Sequence, residues 1–507
     1  MAGENTSLRA AGWVNLCSLG QLILQFVFQM FLARQFGASW EMDAYVAAIA
    51  VPTVVSAVFV GSLGYAFVPL FGRLLKQDPD RAWTLAGTMA MLLVLVTTCT
   101  AMMAHFGAQP LVRLLFPGFN EERFALAVVL LRIHCWLIVT NGMIAFLQSL
   151  YHCHKRFLVP ALAAPIGIAL TVLGAIAFRE HGMPAIAWAV LAGSATAVVL
   201  QLPLLVRHAR YSIARNRDVT QCLLLITPMV LGALYFRLDP LVDRYLTSLL
   251  SVGSVAHLGY AWRMSSAVLM ITVGGLSVVA FPSFAEHWSA GRQTEFRTEV
   301  ASAVRCLIAI LVPIGFALTF YSEPLIANLF QRGEFTAADS RAVGRLLTLY
   351  VGMIVGAGIG EITSKVFYSL SDTRTPTLLG VGSFSVGLVL KIVFVKPFGA
   401  AAIVAATSFY FVLSALFAVV LIVRRFGPEL FAGAGAALGR AVLASTTATL
   451  AAWPVVNAGF PFAVFPAAAL GGIVYFLAMF AQRDEFAKRM MQYLLSTCRS
   501  KHARNRT

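Results

Sequence analysis

The chain has 507 residues, 59% of them hydrophobic and only 12% charged, whereas a soluble domain carries roughly a quarter charged residues. That composition excludes water as the main solvent. The formal net charge of +16 could serve a nucleic acid, but the basic residues concentrate in alternate short links rather than in one segment, so no nucleic-acid partner is expected.

A helix needs about 20 apolar residues to span a bilayer, and it satisfies its own backbone hydrogen bonds there. In chain order, apolar runs fall near 13–36, 43–71, 82–107, 123–149, 157–178, 183–206 and 219–249. A second set follows near 255–285, 300–321, 342–370, 375–395, 400–423, 436–458 and 461–481. These runs predict an all-α integral membrane protein with about fourteen transmembrane helices and no room for a soluble domain. Met1 to Arg9 is mostly polar and the first run is long, so no cleavable signal peptide is expected.

The links sort by charge. Leaving Arg9 aside, one side holds 21 basic residues, from Arg73, Lys76 and Arg81 through Arg215, Arg424 and Arg425 to the tail; the other holds 7, among them Arg113, Arg123 and Lys396. The positive-inside rule then puts both termini in the cytoplasm of a bacterial inner membrane, as an even number of spans requires. The seven cysteines are scattered without zinc or redox spacing. His152, Cys153 and His154 read as a helix end, and neither a metal nor a cofactor is expected.

The sequence repeats itself. Gly61-Ser62-Leu63 leads to Pro69-Leu70-Phe71 as Gly274-Gly275-Leu276 leads to Pro282-Ser283-Phe284, an offset of 213 residues. Pro110 to Phe116 matches Pro324 to Phe330 at an offset of 214, and Tyr151 to Pro160 echoes Tyr368 to Pro376. Such duplication predicts two pseudo-symmetric six-helix lobes, 1–206 and 207–424, an extra helix pair at 425–482 and a basic cytoplasmic tail at 483–507. Two lobes around a central cavity suit alternating access.

Ala33-Arg34-Gln35-Phe36-Gly37-Ala38 with Asp43-Ala44-Tyr45, then Pro52 and Ala66-Phe67-Val68-Pro69, resembles the opening of the MurJ/MviN lipid flippases. Val242-Asp243-Arg244, Tyr260-Ala261-Trp262-Arg263, Phe330 to Thr336 and Asp372-Thr373-Arg374-Thr375-Pro376 continue it over nearly the whole chain. The resemblance implies transfer of a polyprenyl-diphosphate-linked sugar, typically lipid II, to the outer leaflet. It also implies a cationic cavity for the diphosphate and a groove for the lipid tail on the last two helices. Asp43 and Arg263 match family positions tied to function. Where relatives usually carry arginines, this chain has Leu22, Phe28 and Ser56.

A charge at the bilayer centre costs about 2.5 to 3.5 kcal/mol on insertion scales, so each one kept there has a reason. Arg263, Arg237 and Arg244 are the first candidates for diphosphate contact, with Arg132 and Asp43 beside them, because guanidinium matches phosphate oxygens bidentately. Snorkelling or pairing with Asp239 and Asp243 is the structural alternative. Arg237 and Arg244 are spaced to share a helix face, and Pro228 and Pro240 interrupt their span. Glu361 and Lys365 have the spacing of an ion pair. Lys391 stands where some relatives have a polar or acidic residue, and it could pair with Asp243 in place of a coupling sodium ion.

No nucleotide loop, catalytic elbow or paired metal ligands are present, so an enzyme is not expected. Three transport readings remain: a flippase for lipid II or a related lipid-linked sugar, a flippase for a surface-glycan repeat unit, and a cation-coupled small-molecule exporter. A membrane scaffold for cell-envelope enzymes is a fourth reading. Glycan-synthesis enzymes are possible partners besides the bilayer, and one copy can complete the cavity.

Overall fold

The computed structural model describes residues 2–210, 217–224, 237–458 and 462–482, without the side chains of 2–11, 59–66 and 274–281. Pro228, Arg215 and the tail at 483–507 lie outside the described residues. All regular structure among the described residues is helical. Eleven segments there are long and apolar enough to cross a membrane. The run at 219–249 is only partly described, and the run at 255–285 is divided between two helices.

The chain forms two compact units, Met1–Ala256 and His257–Thr507. The first contains α1 (Ala2–Phe36), α2 (Trp40–Gln77), α3 (Pro79–Phe106), α4 (Ala108–Leu115), α5 (Glu121–His134), α6 (Leu137–Cys153), α7 (Leu158–Ala177), α8 (Gly182–His208) and α9 (Asp239–Ser248). Its helix starts follow the sequence. Ser39, Asp78 and Asn120 cap α2, α3 and α5 by accepting the amides of Met42, Arg81 and Arg123. Phe67, Phe71, Trp83 and Phe146 form one buried cluster, with the Phe67 and Phe146 rings 4.9 Å apart. α7 meets α8 through small residues, as lipid-embedded helices do when apolar burial no longer drives association. A methyl group added to Gly167 would stand 2.5 Å from the Gly193 carbonyl oxygen, so only glycine permits that approach.

The second unit receives α10 (Ser254–Thr272), which begins at the end of the first. It continues with α11 (Gly274–Ser289), α12 (Gln293–Phe330), α13 (Ala337–Leu349), α14 (Val351–Ser369), α15 (Arg374–Phe398), α16 (Ala400–Phe426), α17 (Ala434–Val456) and α18 (Val464–Ala481). α12 has 38 residues and is therefore about 57 Å long, well beyond a hydrocarbon core of about 30 Å. The terminal pair α17 and α18 packs on it: the buried Tyr475 hydroxyl donates to the Ala309 carbonyl at 2.7 Å, and that of Tyr321 donates to Thr449. The duplication extends to a break within one span. α5 and α6 are separated at Cys135–Trp136, and α13 and α14 at Tyr350.

Between α14 and α15, Asp372 accepts the Thr375 amide at 3.0 Å and the Thr375 hydroxyl at 2.8 Å. Arg425, at the end of α16, lies 3.6 Å away. The Thr375 hydrogen bonds, aided by Arg425, hold the Asp372 carboxyl below the usual carboxylate range. A depressed folded pKa contributes stability above the unfolded value of about 3.9, and that stability disappears as pH falls through the folded value. Asp372→Asn is expected to lower the melting temperature at neutral pH and to flatten its decline in acid. Thermal unfolding of the purified protein across about pH 3 to 7 measures both.

Candidate functional site

Asp43, the fourth residue of α2, is fully buried. Its carboxylate accepts the Gly253 amide at 2.7 Å and the Ala256 amide at 2.8 Å, so it caps the start of α10. Gly253 has φ +88°, which a residue with a side chain resists and which turns its N–H toward the acid. Arg123, the third residue of α5, brings a guanidinium nitrogen to 3.5 Å from the same carboxylate. Its Nε donates to Asn120, and its guanidinium lies 5.1 Å from the Phe119 ring centroid. A buried carboxylate is tolerable when helix-terminal amides and a cation share its charge, and Asp43 has both.

α9 closes against this centre. A methyl group on Gly118 would lie 2.1 Å from the Ser248 carbonyl oxygen, which fixes how near α9 comes to the loop before α5. Arg244 donates to the carbonyls of Val46 on α2 at 3.3 Å and of Pro240 at 2.8 Å. Pro240 occupies the first turn of α9, where its missing N–H leaves no gap. Asp239 and Asp243 are buried on the same short helix. Arg237 precedes it and is exposed.

Deeper in the first unit, the backbone carbonyl of Arg132 lies 3.0 Å from His105. Its Nε is buried with no hydrogen-bond partner among the described residues, and neither ring nitrogen of the fully buried His134 has one. His134 meets Tyr45 edge-on at 5.2 Å. Ser56 is buried as well and accepts a long 3.5 Å hydrogen bond from Asn141.

In the second unit, His257 is the fourth residue of α10 and Asp339 the third of α13, and they meet at 2.7 Å. Asp43 and Arg123 hold the same two positions on α2 and α5, with acid and base exchanged. Arg263 on α10 is half-buried, and no hydrogen bond or ion pair is seen for it among the described residues. Its neighbour Trp262 meets Tyr350, at the break between α13 and α14, at 5.9 Å. Lys391 on α15 is fully buried, its ammonium 5.6 Å from the Tyr410 ring centroid. Lys365 stands 3.4 Å from Glu361.

A family model described as Lipid II flippase MurJ matches residues 32–480. The chain belongs to that family. It is therefore a transporter rather than an enzyme, and a multi-pass protein of the bacterial inner membrane. A probable lipid II flippase MurJ of Buchnera aphidicola is 27% identical over 72% of this chain and 73% of its own length. The lipid II flippase MurJ of Burkholderia cenocepacia is 25% identical over 73% of this chain and 74% of its own. Among solved structures, the inward closed conformation of a lipid II flippase MurJ superposes with a TM-score of 0.79, covering 93% of this chain and 98% of that one at 21% identity. An inward-facing multidrug transporter of the MATE family gives 0.69 at 15% identity, covering 81% of this chain and 95% of that one.

The partnership of Asp43 with Arg123 and that of His257 with Asp339 were not among the sequence candidates. The helix-start residues Asn120 and Thr336, each three positions before the charged residue, mark where α5 and α13 begin but carry no signal of what Arg123 and Asp339 meet. Asp43→Ala strands two buried amides and is expected to cost about 2 to 3 kcal/mol of stability. Arg123→Ala leaves those amides satisfied, and because they continue to share the carboxylate's charge it should cost less. Thermal unfolding of the two variants in one detergent ranks them, and the reverse order would show that the guanidinium outweighs the amides.

Proposed function

We propose that this protein carries lipid II, or a closely related polyprenyl-diphosphate-linked sugar, from the cytoplasmic to the outer leaflet by alternating access. The observation that carries the reading is the family match over residues 32–480, joined by relatives named as lipid II flippases. Arg263 offers its guanidinium to the diphosphate, a half-buried donor that can engage phosphate oxygens bidentately. Arg237 and Arg132 supply further positive charge, while Arg244 braces α9 through the carbonyls it already holds. Asp43 serves by setting the start of the helix that bears Arg263.

In this reading both termini are cytoplasmic and one copy suffices. Without a nucleotide motif, transport draws on an ion gradient, the membrane potential or consumption of the product. The buried Lys391 ammonium takes the place of a coupling cation, so transport is expected to proceed without sodium. A sodium requirement that Asp243→Asn abolishes would overturn that point.

A second reading, transfer of a surface-glycan repeat unit, is favoured by one observation. Ser56, in a position where relatives usually carry arginine, is buried and neutral. Complementation of a strain depleted of its essential lipid II flippase separates the two. Rescue is expected, and its failure despite normal membrane insertion would move the assignment to the glycan. In the rescuing strain, Arg263→Ala should abolish growth at unchanged protein level, and full growth would remove that residue from the site.

A further inference from the structure

The second unit holds a cavity of about 420 Å³ where the first turns of α12 face the short strap between α16 and α17. Gln293, Thr294, Arg297, Thr298 and Arg305 line one wall, and Glu429 and Ala432 the other. Arg297 pairs with Glu429, and Arg305 donates to the Ala432 carbonyl at 3.0 Å. Gly433, with φ +76°, turns the strap into α17, and a methyl group added there would stand 3.4 Å from the Arg305 side chain. Two arginines are thus fixed beside hydroxyl and amide groups, with a single acid among them, leaving the lining with one net positive charge.

We propose that this cavity binds the phosphodiester headgroup of an anionic phospholipid from the surrounding leaflet. Guanidinium groups held in place match phosphate oxygens in geometry and charge, and threonine hydroxyls and a glutamine amide complete such a shell. A lipid is favoured over free phosphate by the position of the cavity. It opens at the polar end of spanning helices, on the face that also carries Arg424 and Arg425, where basic groups attract anionic lipid. The helices on either side of the strap also expose apolar residues for acyl chains, Val420 and Leu421 on α16 and Leu438 and Val442 on α17. The site lies apart from Arg263 and does not rest on the choice of transported substrate.

Native mass spectrometry of the full-length protein, with phosphatidylglycerol and phosphatidylethanolamine compared at equal concentration, tests the proposal. The double variant Arg297→Gln, Arg305→Gln is expected to retain phosphatidylglycerol about tenfold less well, with phosphatidylethanolamine unchanged. Glu429→Gln breaks the same ion pair but removes a negative charge, so it should bind phosphatidylglycerol more tightly. If the pair only fastened the strap, the acid and base variants would act alike. Equal losses from both, or no loss from the double variant, overturn the proposal. Saturable binding of inorganic phosphate by the lipid-free protein, seen by titration calorimetry, overturns the lipid as ligand. Matching melting temperatures of wild type and variants verify that each is folded.

Discussion

The carboxylate of Asp43 is the constraint on which the first unit's arrangement turns. A charge with no exposure to solvent has to be matched by fixed partners, and here they come from two other parts of the chain: α5 and the start of α10. The amides at Gly253 and Ala256 are satisfied by the acid, so the start of α10 is located by this polar contact as well as by the burial of Val255 and Ala256. In lipid this matters more than in water. Apolar surface gives little preference for one helix neighbour over another, so polar and small-residue contacts decide.

The second unit solves the same problem with opposite polarity. His257 and Asp339 occupy the helix positions of Asp43 and Arg123, so the duplication preserved the place of the contact while exchanging its charges. The break between α5 and α6 recurs between α13 and α14, again with geometry kept and residues changed, Cys135–Trp136 in one and Tyr350 in the other. What the two halves share is the location of fixed points. The side chains that do the fixing have diverged.

Much of this was legible in the sequence, and the reasons are physical. Long apolar runs have few ways to exist in a bilayer, so helices and their approximate bounds follow from composition alone. Capping residues such as Ser39 and Asn120 announce helix starts because their chemistry is local. Pairings across the fold are not local. Arg123 reads from the sequence only as a loop charge, since nothing within a few residues points to a carboxylate on α2. Arg244 is spaced in the sequence to share a helix face with Arg237, but only the fold shows that its guanidinium is held by the carbonyls of Val46 and Pro240. Glu361 and Lys365 were readable because one helical turn separates them.

The length of α12 has a mechanical consequence. Tyr475 and Tyr321 pin the terminal helix pair to it, so α17 and α18 travel wherever α12 leans. A rod of about 57 Å that pivots by about 10° swings its far end by about 10 Å, a sweep comparable to the width of a neighbouring helix. Small rotations at one membrane surface are thereby magnified at the other. Pro313 and Pro324, each removing a backbone hydrogen bond, mark where the lever can flex.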